Sequence, residues 1–243
     1  MDETAPGFEE LRERLAMVRR SIETSASRAG RDPVEIKLIA VSKTHPPEAI
    51  RRAIKAGVSD LGENRVQEAD AKIPDVGRER ARWHLIGHLQ ANKARRAVAL
   101  FDVIHTLDSA SLARRLDRLC EEAGRSDLPV MIQVDLGGEA TKSGVSEEEL
   151  PELVKAVGAC RHLRLTGLMT LPPFFEDVEL VRPFFRRLRA LRDDLRERES
   201  FGTGAGELSM GMSHDYVVAI EEGATMVRVG TAIFGERRSR AIS

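Results

Sequence analysis

Short apolar runs alternate with longer segments of helical periodicity along this chain, and that alternation leaves few architectures open. The runs cover residues 36–42, 58–62, 83–87, 103–107, 129–136, 163–169, 208–210 and 226–230. They are rich in Val, Ile, Leu and Met and end in Gly, Pro or polar residues, as strands buried on both faces do. Helical patterns begin near Pro47, Val66, Gln90, Ser109, Ser146, Val178, His214 and Thr231. An amphipathic helix over residues 8–28, with Leu11, Leu15, Val18 and Ile22 on one face and Gly30 and Pro33 closing it, precedes them all. Strands separated by helices pair in parallel. Eight such units predict an α/β fold, a closed (β/α)8 TIM barrel behind an N-terminal helix. An open doubly wound sheet is the alternative, but no Gly-x-Gly-x-x-Gly follows any strand. No linker of domain-separating composition interrupts the pattern, and the glycine-rich residues 201–206 read as a loop, so one domain over residues 1–243 is expected.

The formal net charge of -1 gives no reason to expect nucleic acid or an anionic membrane as partner. The arginine-rich stretch 186–198 is interleaved with Asp193, Asp194, Glu197 and Glu199, which makes it a solvated helix face laced with i,i+4 ion pairs. Cys120 and Cys160 have no metal-ligand spacing around them, and neither a disulfide framework nor a zinc site is expected. The acidic start and the lack of any run of eighteen apolar residues predict no signal peptide and no membrane span, hence a cytoplasmic protein.

In α/β barrels ligands sit where strands end. The first strand ends Ala40-Val41-Ser42-Lys43 before the breakers Pro46 and Pro47, and alternation puts Lys43 on the face of Ile39 and Val41. A lysine desolvated there has its pKa pushed down and becomes an amine nucleophile towards aldehydes; a snorkelling strand-end lysine is the plainer alternative. After the seventh run, Ser213 either caps the next helix or binds a ligand. The eighth ends Arg228-Val229-Gly230-Thr231, and two helix N-termini after strands seven and eight form the usual phosphate site of this architecture. Arg228 shares the inward face of Met226 and Gly230. It needs partners there, either a barrel carboxylate such as Glu63 or Asp135, or a ring nitrogen or anionic group of a ligand.

An amine able to capture an aldehyde, a phosphate cradle and an inward cation together describe pyridoxal 5'-phosphate. The motifs Ala40-Val41-Ser42-Lys43, Gly62-Glu63-Asn64, Trp83-His84-Leu85-Ile86-Gly87, Leu89-Gln90-Ala91-Asn92-Lys93, Lys142-Ser143-Gly144, Gly167-Leu168-Met169-Thr170, Ser209-Met210-Gly211-Met212-Ser213 and the block 227–235 closely resemble the pyridoxal phosphate homeostasis protein family. The resemblance spans residues 8–236. It implies an alanine-racemase-like barrel carrying the cofactor as an aldimine on Lys43. It further implies phosphate contacts at Ser213, Gly230 and Thr231, Arg228 facing the pyridine nitrogen, and cofactor contacts at Asn64, His84, Met169 and Ser209. Two residues depart from the family pattern: Arg65 stands where tyrosine is common and Asp135 where asparagine is common.

The role so implied is non-catalytic: a vitamin B6 carrier or regulator rather than an enzyme, which exchanges cofactor with free pools or apo-enzymes and needs no dimer. Two rivals use the same lysine. A racemase would need acid/base groups on both faces of the cofactor, whereas the chain ends soon after strand eight and its only tyrosine is Tyr216. A Schiff-base aldolase would use Lys43 with no cofactor.

Overall fold

Every predicted strand forms in the computed structural model, which describes residues 6–138 and 143–235. In chain order they are β1 (Lys37–Val41), β2 (Asp60–Glu63), β3 (Arg82–Leu85), β4 (Val103–Leu107), β5 (Leu128–Gln133), β6 (Leu163–Met169), β7 (Glu207–Met212) and β8 (Met226–Val229). All neighbours pair in parallel, and β1 closes on β8 with Ile39 opposite Arg228, completing the barrel. The helices are α1 (Pro6–Arg28), α2 (Pro47–Lys55), α3 (Val66–Val76), α4 (Ala94–Leu100), α5 (Ala110–Glu122), α6 (Leu150–Gly158), α7 (Arg182–Glu197), α8 (Tyr216–Glu221) and α9 (Thr231–Phe234).

The core has two layers, as strand alternation requires. Outward residues such as Ala40, Leu61, Val227 and Val229 join the helices in the larger apolar cluster. Inward residues Ile39, Met131, Met169 and Met226 make a separate cluster inside the barrel. Helix α1 lays Leu11, Leu15, Val18 and Ile22, all buried, against α2, α8 and α9. Among the described residues no helix is long and apolar enough to cross a membrane.

Some helix starts move from their expected places. The pattern near Gln90 opens as a 3-10 turn (Ala91–Lys93) before α4. Ser146 and Glu149 bond each other's backbone N–H reciprocally, a capping box that delays α6 to Leu150. Asp215, rather than Ser213, occupies the N-cap position of α8. The acid–arginine ladder of α7 is only partly internal. Arg198 pairs with Asp194, but Arg187 reaches Glu147, and Arg186 reaches Glu222 at 3.0 Å.

Candidate functional site

Lys43 lies half-buried just beyond β1, between two anchored neighbours. On one side Ser42 donates its backbone N–H to Gly62 O at 3.0 Å and its hydroxyl to Glu63 Oε1 at 2.7 Å. Lys72 of α3 donates to Ser42 O at 3.1 Å and to Glu63 Oε1 at 3.0 Å. On the other side Thr44 has φ 66, a left-handed conformation unusual for a non-glycine residue, and its N–H donates to Glu68 Oε2 at 3.0 Å. His45 stacks on Phe234 of α9, with ring centroids 4.7 Å apart, which ties the turn after β1 to the helix after β8.

The turns after β7 and β8 are joined directly. Gly230 N–H donates to Ser213 Oγ at 3.1 Å, so the hydroxyl holds the two loops together and the expected capping role falls away. Gly230 packs so near β1 that a Cβ there would stand 3.3 Å from Val41 Cβ. Gly211 has φ +90, and a Cβ on it would come within 2.6 Å of Ala219 Cβ, so glycine is required for the chain to turn from β7 into α8. Thr231 begins α9 and is exposed.

Arg228 points into the barrel and is 2% exposed. It donates to Ser209 Oγ at 2.7 Å and to Thr170 O at 2.9 Å. Burial pushes its pKa down to about 10, with Asp215 opposing. The carboxylates offered from sequence are engaged elsewhere. Glu63 faces the helix layer and pairs with Lys72, while Asp135 accepts the N–H groups of Gly137 and Gly138 at 3.0 and 3.2 Å. Glu63 was misassigned because Gly62, not Glu63, takes the inward position: a Cβ on Gly62 would strike Ile39 and Ile86.

A polar chain that sequence reading missed runs beneath Arg228. Ser209 Oγ is 2.9 Å from His105 Nδ1, His105 Nε2 is 2.9 Å from His84 Nδ1, and His84 Nε2 is 2.9 Å from Asp60 Oδ1. Ser59 donates to Asp60 Oδ2 at 2.7 Å. Burial holds both imidazoles below their ordinary pKa, His105 well below. Burial also raises Asp60, but hydrogen bonds from His84 and Ser59 outweigh it and leave the carboxyl below its usual value. The available signal was a histidine inside each of two mainly apolar buried strands. Thus His84 and Ser209, expected as cofactor contacts, belong to this chain, and Met169 lies in the apolar cluster inside the barrel.

Asn64 follows β2 and is half-buried. Gly87 packs on its backbone so closely that a Cβ there would stand 2.2 Å from Asn64 O. Asn64, Arg65, His88, Gln90 and Lys93 line a cavity of about 580 Å³ between the loops after β2 and β3. Lys142 lies outside the described residues. No group of His, Cys, Asp and Glu suited to a metal ion occurs among the described residues.

Residues 14–238 match the family model described as alanine racemase, N-terminal domain. The chain is 45% identical over 228 residues to the pyridoxal phosphate homeostasis protein of Aquifex aeolicus, covering 93% of this chain and 98% of that one. It is 44% identical over 228 residues to the protein of that name from Escherichia coli K12, covering 92% and 95%. The structure of PipY from Synechococcus elongatus with PLP bound superposes with TM-score 0.76 at 39% identity, over 93% of this chain and 100% of that one. Alanine racemase of Clostridium difficile shares the fold at TM-score 0.69 and 19% identity, over 96% of this chain and 58% of that one. The chain therefore belongs to the alanine racemase N-terminal domain family and, within it, to the pyridoxal phosphate homeostasis proteins.

Proposed function

We propose that this chain binds pyridoxal 5'-phosphate on one barrel domain and serves in its intracellular homeostasis, holding the cofactor at Lys43 and passing it on without turning over a substrate of its own. The observation that carries the reading is the convergence, across the β1–β8 seam, of Lys43, the buried Arg228 and the joined turns of Ser213 and Gly230. The names of the Aquifex and Escherichia relatives, and the PLP bound in PipY, support it.

The donor set suits each part of the ligand. When bound, pyridoxal phosphate supplies an aldehyde that condenses with a primary amine, carried on a pyridine ring bearing a phosphate. Lys43 offers the amine. Ser213 accepts from Gly230 N–H, leaving its own hydroxyl proton to donate to an anion, and Thr231 stands beside it at the start of α9. Arg228, a donor with no acceptor, meets the ring nitrogen without giving it a proton, which weakens the electron sink that carbanion chemistry uses. Ile39, Met131, Met169 and Met226 provide an apolar floor. Asn64, whose backbone is packed by Gly87, lines with Arg65 and Lys93 a cavity at the ends of β2 and β3.

Borohydride reduction of the loaded protein, followed by peptide mapping, tests this. The pyridoxyl label is expected on Lys43, and Lys43→Ala is expected to lose it while remaining folded and binding the ligand more weakly through the phosphate contacts. Label mainly on Lys93 or Lys142 would sink the assignment.

A further inference from the structure

The buried chain from Asp60 to Arg228 admits one arrangement of protons. Arg228 has only donors, so Ser209 Oγ accepts from it and turns its own proton to His105 Nδ1. His105 then carries its proton on Nε2 and donates to His84 Nδ1, and His84 carries its proton on Nε2 and donates to Asp60. Asp60, ionised and bonded by Ser59 at its second oxygen, accepts at the far end. The reverse order needs a protonated Asp60 and leaves the Ser209 proton facing a guanidinium N–H. Both ends thus lock the same direction, across five strands: β2, β3, β4, β7 and β8.

We infer that Asp60, His84, His105 and Ser209 are positioning residues forming a one-way relay that aims Arg228 at the ring-nitrogen end of the pocket and ends in a carboxylate set apart from the guanidinium. The distance matters. A carboxylate touching Arg228 would compete with the ligand for the guanidinium, whereas a hydroxyl orients it and leaves its charge uncancelled at the pocket. Asp215 is the carboxylate that acts directly on the buried cation, and in this proposal Asp60, at the far end of the hydrogen-bonded chain, supports it through two neutral imidazoles. Lys37 and Arg82 also act on the histidines from β1 and β3, and both favour the neutral rings. The relay's role rests on the pyridoxal phosphate reading above, but its existence does not.

Nitrogen-15 NMR of the ligand-free protein tests its existence. His84 and His105 are expected as neutral Nε2–H tautomers that do not titrate between about pH 8 and 5, the interval in which ordinary histidines charge. An Nδ1–H tautomer or an imidazolium at neutral pH in either residue overturns the relay. Its role is tested by equilibrium binding of pyridoxal 5'-phosphate. Asp60→Asn keeps an acceptor for His84 and should keep both tautomers, yet weaken binding at least about tenfold, as loss of a charged partner does. Wild-type affinity in Asp60→Asn overturns the role. Should that variant not fold, Ser209→Ala breaks the relay at its other end, and the same tenfold loss, with the Arg228 contact removed, is required. A wild-type protein that keeps the tautomers but binds no pyridoxal 5'-phosphate overturns the cofactor reading and, with it, the role assigned to the relay.

Discussion

Ser213 bonds the backbone of Gly230 instead of capping α8, and the difference changes what its loss should do. A lost helix cap lowers stability by about 1 kcal/mol with or without ligand. A hydroxyl joining two loops under a phosphate acts chiefly when the anion is present. Replacing Ser213 and Thr231 together by alanine is therefore expected to weaken pyridoxal phosphate binding by about 10- to 100-fold, while ligand-free stability falls by no more than about 1 kcal/mol. Binding titration and urea denaturation of the same variant separate the two. Equal losses in both would return Ser213 to a purely structural role.

At the level of elements, the turn between β1 and α2 is held from behind by α3. Thr44 keeps its left-handed φ because Glu68 accepts its N–H, and Lys72 bridges Glu68, Glu63 and the Ser42 carbonyl. Burial raises the Glu63 pKa even though Lys72 opposes it. Lys72→Met would remove that opposition and raise it further. A carboxyl whose folded pKa lies above its unfolded one contributes stability at pH below the unfolded value and loses it as pH rises through the folded value. The variant should thus be less stable than wild type by about 3 kcal/mol at pH 8, and by less at pH 5. Urea denaturation at the two pH values checks this; a loss that is equal at both, or larger at the lower, contradicts the assignment.

For the whole molecule, the barrel shared with alanine racemase does not carry racemisation with it, because likeness at 19% identity speaks to fold alone. Two-base racemisation needs an acid/base group on each face of the bound ring. The only tyrosine, Tyr216, is part-buried on α8 against the outer core, and Arg228 keeps the ring nitrogen unprotonated in our reading. Incubation with L- or D-alanine, followed by chiral chromatography, should give no interconversion above a control of buffer and free cofactor. Saturable, stereospecific turnover that disappears in Lys43→Ala would overturn the non-catalytic assignment.

The alternation of apolar runs and helical segments was enough to specify eight strands, their order and the barrel, since each depends on patterns within about ten neighbouring residues. The same local logic put Lys43 on the Ile39 face and Gly230 and Thr231 at a helix start. What only the tertiary structure decided involves residues far apart in sequence. Glu63 could not be assigned to the helix layer without knowing that Gly62 fills the inward slot beside Ile39 and Ile86. The partner of Ser213 is Gly230, on the next strand's turn. The relay joins Asp60 to Arg228 through three other strands, and register shifts adjoin it, one where β4 pairs with β5 between Ile104 and Leu107 and one where β7 pairs with β8 between Ser209 and Met212. Alternation tells which side of a strand a histidine takes, but which buried donor meets which acceptor depends on barrel closure and on those shifts, and neither is written in any local stretch of the chain.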